Sequence, residues 1–380
     1  MASPLMLAAS AIGPSEQWEK VVNASVSEID FSDMTAVFRR LRDANLAPDF
    51  GVDLNKPDEL AALAEQARMQ FNAMVRPIIL YNQEVWGADV PPSIQQIILT
   101  GCTVNNFEKT LKFINETPAE QLHLKFNKIL LGVNKQTSNL ATRAETGNYP
   151  LIIYTLVSVI KYWDRVRRLP NNRLAKEALL CNNKLHENGI FSWTSLVKFV
   201  LKLTDVPDTN FNPFKPLPKT FFNNLETSLQ NKYTQLYFSH MHNDMRPNNT
   251  KNKLRTYRKF KTNHATEKYL TEVTDPDIRA SIAKMRTSSH NLMIEKGRHV
   301  KLALEHRICQ KCNTGTVEDE FHAVMNCPVH TTARNDLFSV FHENFTRWAQ
   351  ISEEDKFIAI MSLKEHMTQT GHFFHSILNY

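Results

Sequence analysis

The sequence predicts a mainly α protein in which two helical regions are joined by a linker. Only ten of its 380 residues are glycine, fewer than the ~7% usual in globular proteins, and glycine-poor chains favour helices over hairpin-rich sheets. Apolar residues make up 42% of the chain, which is enough to build buried cores. In several segments the apolar positions recur with the helical period. Prolines clustered near residue 213 interrupt that pattern and indicate a boundary.

The first half of the chain is predicted to be helical after an N-terminal segment, 1–57, to which we assign no role. That segment holds one candidate helix at 31–45. The helical region that follows is 58–204. It contains four candidate helices: one that begins at Asp58, one at 122–133, one from Pro150 to Trp163 and one at 193–203. Its longest apolar run is about half the ~20 residues needed to cross a bilayer. The chain also opens without a basic signal region. We therefore expect an intracellular protein, in the nucleus or cytoplasm, that is neither secreted nor bound to a membrane.

The second half is predicted to contain a linker and the second helical region, on which C-terminal helices pack. Segment 205–250 is rich in proline and asparagine and ends with a helix through 222–236. Region 251–345 follows, and 346–380 supplies C-terminal helices, the first capped by Ser352 with Asp355. An aromatic stripe at helical spacing is predicted to be core; it comprises Phe338, Phe341, Phe345 and Trp348.

Three of the five cysteines lie close together around one histidine in region 251–345. Cys309, Cys312, His322 and Cys327 follow the spacing C-x2-C-x9-H-x4-C. Zn²⁺ prefers a tetrahedral set of sulfur and imidazole nitrogen ligands, and a CxxC turn presents two thiolates to one ion. We expect a helix capped by Thr316 to carry His322 and Cys327. Because four protein ligands leave no position for a catalytic water, the motif predicts a structural zinc knuckle.

Other interpretations explain these cysteines less completely. Buried cysteines also serve as small core residues. A disulfide framework is disfavoured because Cys102 and Cys181 stand alone and nothing indicates an oxidising compartment. A base-deaminase site needs H-x-E ahead of a later P-C-x-x-C, and the order here is the reverse. Zinc binding explains the whole pattern best.

Basic residues are concentrated upstream of this motif. The net charge is +6, and no acidic residue occurs between Asp244 and Glu267. If this run is a helix, four of its cations share one face, which is typical of contact with a phosphate backbone; they are Lys251, Arg255, Arg258 and Lys259. A solvated helix surface is the alternative. The predicted nucleic-acid-binding residues are Lys251, Lys253, Arg255, Arg258, Lys259, Lys261, Arg286, Lys296, Arg298 and Arg307.

Several stretches, taken together, resemble the C-terminal part of reverse transcriptases from non-LTR (LINE-type) retrotransposons. They are FNAMVRPIILYNQEVWG at 71–87, LKFNKILLGVNKQTSNLATRAETGNYPL at 124–151, SVIKYW at 158–163, KLRTYRKFKTNHATEKYL at 253–270 and MRTSSHNLMIEKGRH at 285–299, leading into the cysteine motif. The resemblance covers roughly residues 60 to 345. It implies a thumb-like helical bundle at 58–204 and a CCHC knuckle that holds RNA or target DNA.

The sequence departs from this family at the catalytic centre. Polymerisation requires paired carboxylates that hold Mg²⁺, and no Asp-Asp pair occurs in the sequence. The palm and endonuclease regions of the family have no counterpart here, so we expect the chain not to polymerise on its own. The resemblance implies a fragment, a degenerate copy or a co-opted derivative, and it makes a polymerase or another retroelement protein the expected protein partner.

Three functions follow from these observations. The first is a non-catalytic, zinc-dependent module that binds RNA or DNA. The second is a zinc-stabilised structural or protein-interaction domain, since a structural zinc site can account for the folding of a small domain without any further ligand. The third is a metal-dependent nuclease using His330, Asn335 and His342, which lack a recognisable nuclease spacing. We expect the first.

Overall fold

The computed structural model describes residues 71–72, 76–80, 83–86, 92–100, 109, 117–204, 212, 214–243, 254–345 and 347–380. These residues belong to one compact unit, Ala61–Tyr380. The predicted helix at 31–45 lies outside them, as does the start of the helix predicted from Asp58. β structure in the described part is limited to two isolated antiparallel bridges, Thr146–Thr266 and Ile308–Val317. The mainly α class is therefore confirmed.

Helices of very different lengths build this unit. In chain order they are α1 (Arg76–Ile79), α2 (Gln83–Trp86), α3 (Pro92–Thr100), α4 (Pro118–Leu130), α5 (Asn139–Thr146), α6 (Leu151–Arg167), α7 (Leu174–Glu187), α8 (Trp193–Leu203), α9 (Lys219–Asn243), α10 (Tyr257–Phe260), α11 (Tyr269–Glu272), α12 (Pro276–Arg286), α13 (Met293–His299), α14 (Thr331–Asn344), α15 (Glu353–Ser362) and α16 (Met367–Leu378). None of the described helices is both long and apolar enough to cross a membrane.

Local sequence signals explain where several helices begin. The Thr117 side chain accepts a hydrogen bond from Glu120 N at the start of α4. Asp275 does the same for the first turn of α12. Ser352 accepts from Asp355 N at 3.1 Å at the start of α15, which confirms the predicted cap. Each side-chain oxygen satisfies an amide that has no partner inside its helix. These helix starts are encoded locally.

The central apolar helix α6 differs slightly from its prediction. Pro150 precedes the helix instead of occupying its first turn, and the helix continues to Arg167. Arg167 is buried because its guanidinium donates to Asp164 and to the carbonyls of Asn212 and Lys215. The end of α6 is thus fixed by the chain that leads into α9, and Arg167 has internal acceptors.

The C-terminal helices pack closely on α12. Gly371 of α16 lies so near α12 that a Cβ there would be 2.4 Å from Ile278 Cγ2 and 2.9 Å from Ile282 Cδ1. The aromatic stripe is buried in part, as predicted: Phe341 and Trp348 stack with ring centroids 4.6 Å apart. Phe345, however, is 44% exposed. The segment 347–380 therefore completes the core beside α12 and α14.

A buried ionic network joins the two halves of the unit. Glu145 of α5 accepts hydrogen bonds from Arg286 Nε at 3.0 Å and Nη2 at 2.9 Å. The hydroxyls of Tyr257 and Tyr269 donate to the same carboxylate at 2.9 and 2.7 Å. Glu145 is fully buried and Arg286 is 1% exposed. The regions predicted as 58–204 and 251–345 are thus packed against each other within one compact unit.

Candidate metal centre

A short hairpin presents the first two cysteines. Ile308 and Val317 form an antiparallel bridge, and Cys309 N donates to Thr316 O at 2.8 Å. Gly315 has φ +68, the left-handed conformation that glycine adopts without strain. The loop between these contacts is only a few residues long, so Cys309 and Cys312 point to the same side.

A tight helical turn presents the other two ligands. Asp319 Oδ1 accepts from His322 N at 2.8 Å, which starts a π-helical turn over His322–Asn326. Cys327 N then donates to His322 O at 2.7 Å. The predicted helix cap at Thr316 is wrong, because Thr316 belongs to the hairpin and Asp319 caps the turn. One short element does carry both ligands, as predicted: His322 begins the π-helical turn, and Cys327 directly follows its last residue.

The four side chains converge at a buried point. Cys309, Cys312, His322 and Cys327 are at most 8% exposed, and their ligand atoms all lie within 4.8 Å of one another. Cys312 Sγ and His322 Nε2 are 3.4 Å apart. Zn–S bonds of about 2.3 Å and Zn–N bonds of about 2.0 Å around a tetrahedral ion separate S from N by roughly 3.5 Å. The group can therefore hold a metal ion, and its donors fit zinc.

The pKa values of the four ligands show which of them need a cation in order to ionise. Burial lowers the pKa of His322, which favours the neutral imidazole that binds metals. Burial raises the pKa of Cys309 to about 12 and also raises the pKa of Cys327. Burial opposes ionisation of Cys312 as well, but hydrogen bonds, among them one with the Thr314 hydroxyl 3.1 Å away, lower its pKa overall. A bound cation would stabilise all three thiolates.

Residues outside the ligand set hold the site in place. Arg334 of α14 donates to Cys327 O at 3.0 Å, and Lys311 Nζ donates to Ile377 O of α16 at 2.9 Å. Val324 and Ala323 on the ligand-bearing turn are buried in the main core. The centre is therefore continuous with the C-terminal packing and is not an independent appendage.

Comparisons with known proteins give no family for the chain. No protein-family model, no curated protein and no solved structure matches it.

The predicted basic helix is not present in the form expected. Lys251 and Lys253 lie outside the described residues, and α10 covers only Tyr257–Phe260. Arg255 precedes that helix and donates to Glu295 at 2.9 Å and to Glu320 at 2.7 and 2.8 Å. The prediction that these cations share one helical face is wrong for the described residues.

Three of the other predicted cations are buried. Arg286 pairs with Glu145, as described above. Lys261 is 3% exposed, forms an ion pair with Glu267 and donates to Ala265 O at 2.9 Å. Arg307 donates to the carbonyls of Leu302 and Ile294. Since these side chains have internal acceptors and little exposure, they do not form an open surface for phosphates.

The remaining predicted cations are partly or fully accessible. Lys259 is exposed and pairs with Glu354 at 2.7 Å. Arg258 is half-buried. Arg298 is 18% exposed and pairs with Glu295. Lys296 is exposed on α13. The accessible positive charge near the metal centre is therefore on and after α13.

Sequence reasoning missed the acidic partners of these cations. Glu320 is fully buried and also accepts from Thr256, Ser288 and His290. Burial raises the pKa of Glu320, but the charges of Arg255 and His290 outweigh that effect and hold it well below its usual range. The burial of Arg286 could have been predicted from helical spacing. Arg286 stands four residues after the buried Ile282 and therefore lies on the core-facing side of α12.

The residues considered for a nuclease do not gather around an open site. His330 is 5% exposed and packs edge-on against the Tyr380 ring, with centroids 5.4 Å apart. Asn335 and His342 are exposed on α14, seven positions and thus about two helical turns apart. This arrangement offers no clustered catalytic set.

Proposed function

We propose that the chain is a non-catalytic module that binds nucleic acid and requires zinc for its fold. One observation carries the proposal: an exposed, cation-bearing surface is attached directly to the metal-binding hairpin. The surface, here called the basic strip, carries two lysines, Lys296 and Lys301, two histidines, His299 and His306, and one carboxylate, Glu305, all exposed. Exposed Val300, Leu304 and Ile308 lie along the same segment, at 74%, 40% and 40%. Exposed lysines of this kind suit contact with phosphates.

The attachment of the strip to the metal centre supports a dependence on zinc. Met293 N donates to the Glu318 carboxylate at 2.7 Å, and Ile294 N donates to Glu318 O at 3.0 Å. Glu318 N in turn donates to Arg307 O at 2.9 Å, beside the Ile308–Val317 bridge. Glu318 lies between the ligand pairs Cys309/Cys312 and His322/Cys327. Metal binding therefore fixes both ends of the strip.

The chemistry expected of the ion is structural. Three thiolates and one imidazole complete a tetrahedral zinc site, so no position is left for a reactive water. The resemblance to the C-terminal part of retrotransposon reverse transcriptases supports the same role, and a polymerase or other retroelement protein stays the proposed protein partner. Descent from such an element, and a location in the nucleus or cytoplasm, also remain predictions.

The test is a binding titration by fluorescence anisotropy on the zinc-loaded full chain, with single-stranded RNA, structured RNA and DNA. The double variant K296E/K301E should bind several-fold more weakly. Its plot of log affinity against log salt should be less steep, by about one for each phosphate that the variant no longer neutralises. Lys202→Glu on α8, also an exposed lysine, is the matched control and should bind as the wild type does. Absence of binding at low salt, or equal weakening in both variants, refutes the proposal.

The second candidate, a zinc-stabilised structural or protein-interaction domain, is favoured by the internal pairing of Arg255, Lys261 and Arg286. It predicts that chelation lowers thermal stability while no nucleic acid raises it. Charge reversal at Arg255 would not separate the two candidates, because it would leave Glu320 buried with a repelling neighbour. The Lys296 and Lys301 variants separate them, since both side chains are exposed.

A further inference from the structure

Helix α7 carries an exposed apolar stripe that the proposed function does not use. Leu174, Ala178, Cys181 and Leu185 are all exposed, with Leu174 at 82% and Leu185 at 40%. Their spacing of four, three and four residues is the a/d repeat of helices that pair along a seam. The opposite part of α7 packs on its own domain: Leu179 is buried, and Asn182 bonds the start of α8. The stripe therefore faces away from the core.

The charges beside the stripe are complementary to themselves. Glu177 and Lys184 are both exposed and are seven residues apart, so they lie on the same flank of the seam. In an antiparallel pair of identical helices, like flanks meet, and Glu177 of one copy faces Lys184 of the other. The same arrangement places Leu174 opposite Leu185 and Ala178 opposite Cys181. One two-fold axis, between Ala178 and Cys181, satisfies the apolar and the charged contacts together.

We propose that α7 is a self-association surface, on which a second copy of this chain docks in antiparallel orientation. A parallel pair would instead place the flank that carries Glu177 and Lys184 against the opposite flank of the other helix, where Ala175 and Asn182 stand, so it would gain no charge pair. A 14-residue helix is about 21 Å long, so the pair buries less than the ~800 Å² per partner of a stable interface. The dimer is accordingly weak, with a dissociation constant on the order of 10–100 µM.

Sedimentation velocity on the full chain, from about 1 to about 500 µM, tests this. The wild type should show concentration-dependent dimerisation. Leu185→Glu should remain monomeric, because it places a carboxylate in the seam. Leu180→Glu is the control: Leu180 is on the same helix and 44% exposed, but it lies off the stripe. It should dimerise like the wild type. A monomeric wild type, or equal behaviour of the two leucine variants, overturns the proposal.

A charge swap tests the antiparallel orientation. Glu177→Lys and Lys184→Glu each create two like-charge contacts across the axis and should weaken the dimer roughly fivefold. The double variant E177K/K184E restores opposite charges and should recover the wild-type constant. A double variant weaker than either single one overturns the antiparallel orientation. All positions involved are exposed, so the variants are expected to fold, and circular dichroism of each confirms it.

Discussion

Replacing Arg286 by methionine removes the cation from the network that joins α5 to α12. Methionine matches the length of the arginine stem but has no donor. Glu145 loses two charge-assisted hydrogen bonds, and Met361 O loses its donor. The hydroxyls of Tyr257 and Tyr269 still donate to Glu145, but they carry no charge. Because Glu145 is fully buried, its negative charge is then opposed by Lys261 but no longer by Arg286.

The expected cost is about 3–5 kcal/mol, the usual range when one partner of a buried pair is removed. Typical domains are stable by only about 5–15 kcal/mol, so Arg286→Met should lower the urea midpoint substantially. In the variant Glu145→Gln the amide oxygen can still accept from the tyrosines. The loss of unfolding free energy in the double variant R286M/E145Q should therefore be smaller, by about 1–3 kcal/mol, than the sum of the losses in the two single variants.

The pH dependence gives a second check on the same variant. In the wild type, burial raises the pKa of Glu145, but Arg286 and Lys261 outweigh it and lower that pKa below its ordinary value. This stabilisation is present above pH ~4.5 and is lost as the pH falls through the folded pKa. In Arg286→Met burial dominates, so the carboxyl pKa rises. The stability gap between the variant and the wild type should shrink between about pH 7 and pH 5. A cost below about 1 kcal/mol, or a gap independent of pH, refutes this account of the network.

Three further predictions follow from other parts of the molecule. Cys327→Ser should abolish the tight binding of one zinc ion per chain, measured by metal analysis after dialysis, whereas the exposed Cys181→Ser should keep it. Burial raises the pKa of Glu120, but Arg143 and His123 outweigh burial and lower the pKa to about 2. The unfolding free energy of the wild type, measured in urea, should therefore fall between about pH 4.5 and pH 2. Relative to Glu120→Gln, the loss should reach about 3 kcal/mol. A stability difference between the wild type and Glu120→Gln that does not change with pH would contradict the lowered pKa of Glu120. Gly371→Val should destabilise the protein by about 1–3 kcal/mol, because its side chain overlaps Ile278 and Ile282; exposed His372→Ala is the control, and equal melting temperatures for the two would refute the packing argument.

The metal ligands could be predicted because their geometry is local. Cys309 and Cys327 are separated by only 18 positions, and the ligand spacing limits the loops between them. The sequence could not show that Thr316 does not cap a helix. The carbonyl of Thr316 instead accepts a hydrogen bond from Cys309 N in the hairpin. Helix starts at Asp275 and Ser352 follow the ordinary capping pattern, and the latter was predicted.

The environments of the cations could not be predicted because their partners are distant along the chain. Arg255 lies 40 positions from Glu295 and 65 from Glu320, and Arg286 lies 141 positions from Glu145. A run without acidic residues resembles an open basic surface whenever the neutralising carboxylates come from other helices. The local density of positive charge along the sequence therefore did not predict which of the cations face solvent.

The distance between Glu145 and Arg286 also has a consequence during protein synthesis. At about 5–20 residues per second, the ribosome needs roughly 7–28 s to add the 141 residues between them. Until then Glu145 lacks Arg286, and its other partners Tyr257, Lys261 and Tyr269 are made only shortly before it. The face of α5 that carries Glu145 is therefore expected to pack last, after α12 has been made, whereas Arg143 on the same helix can already pair with Glu120 of α4.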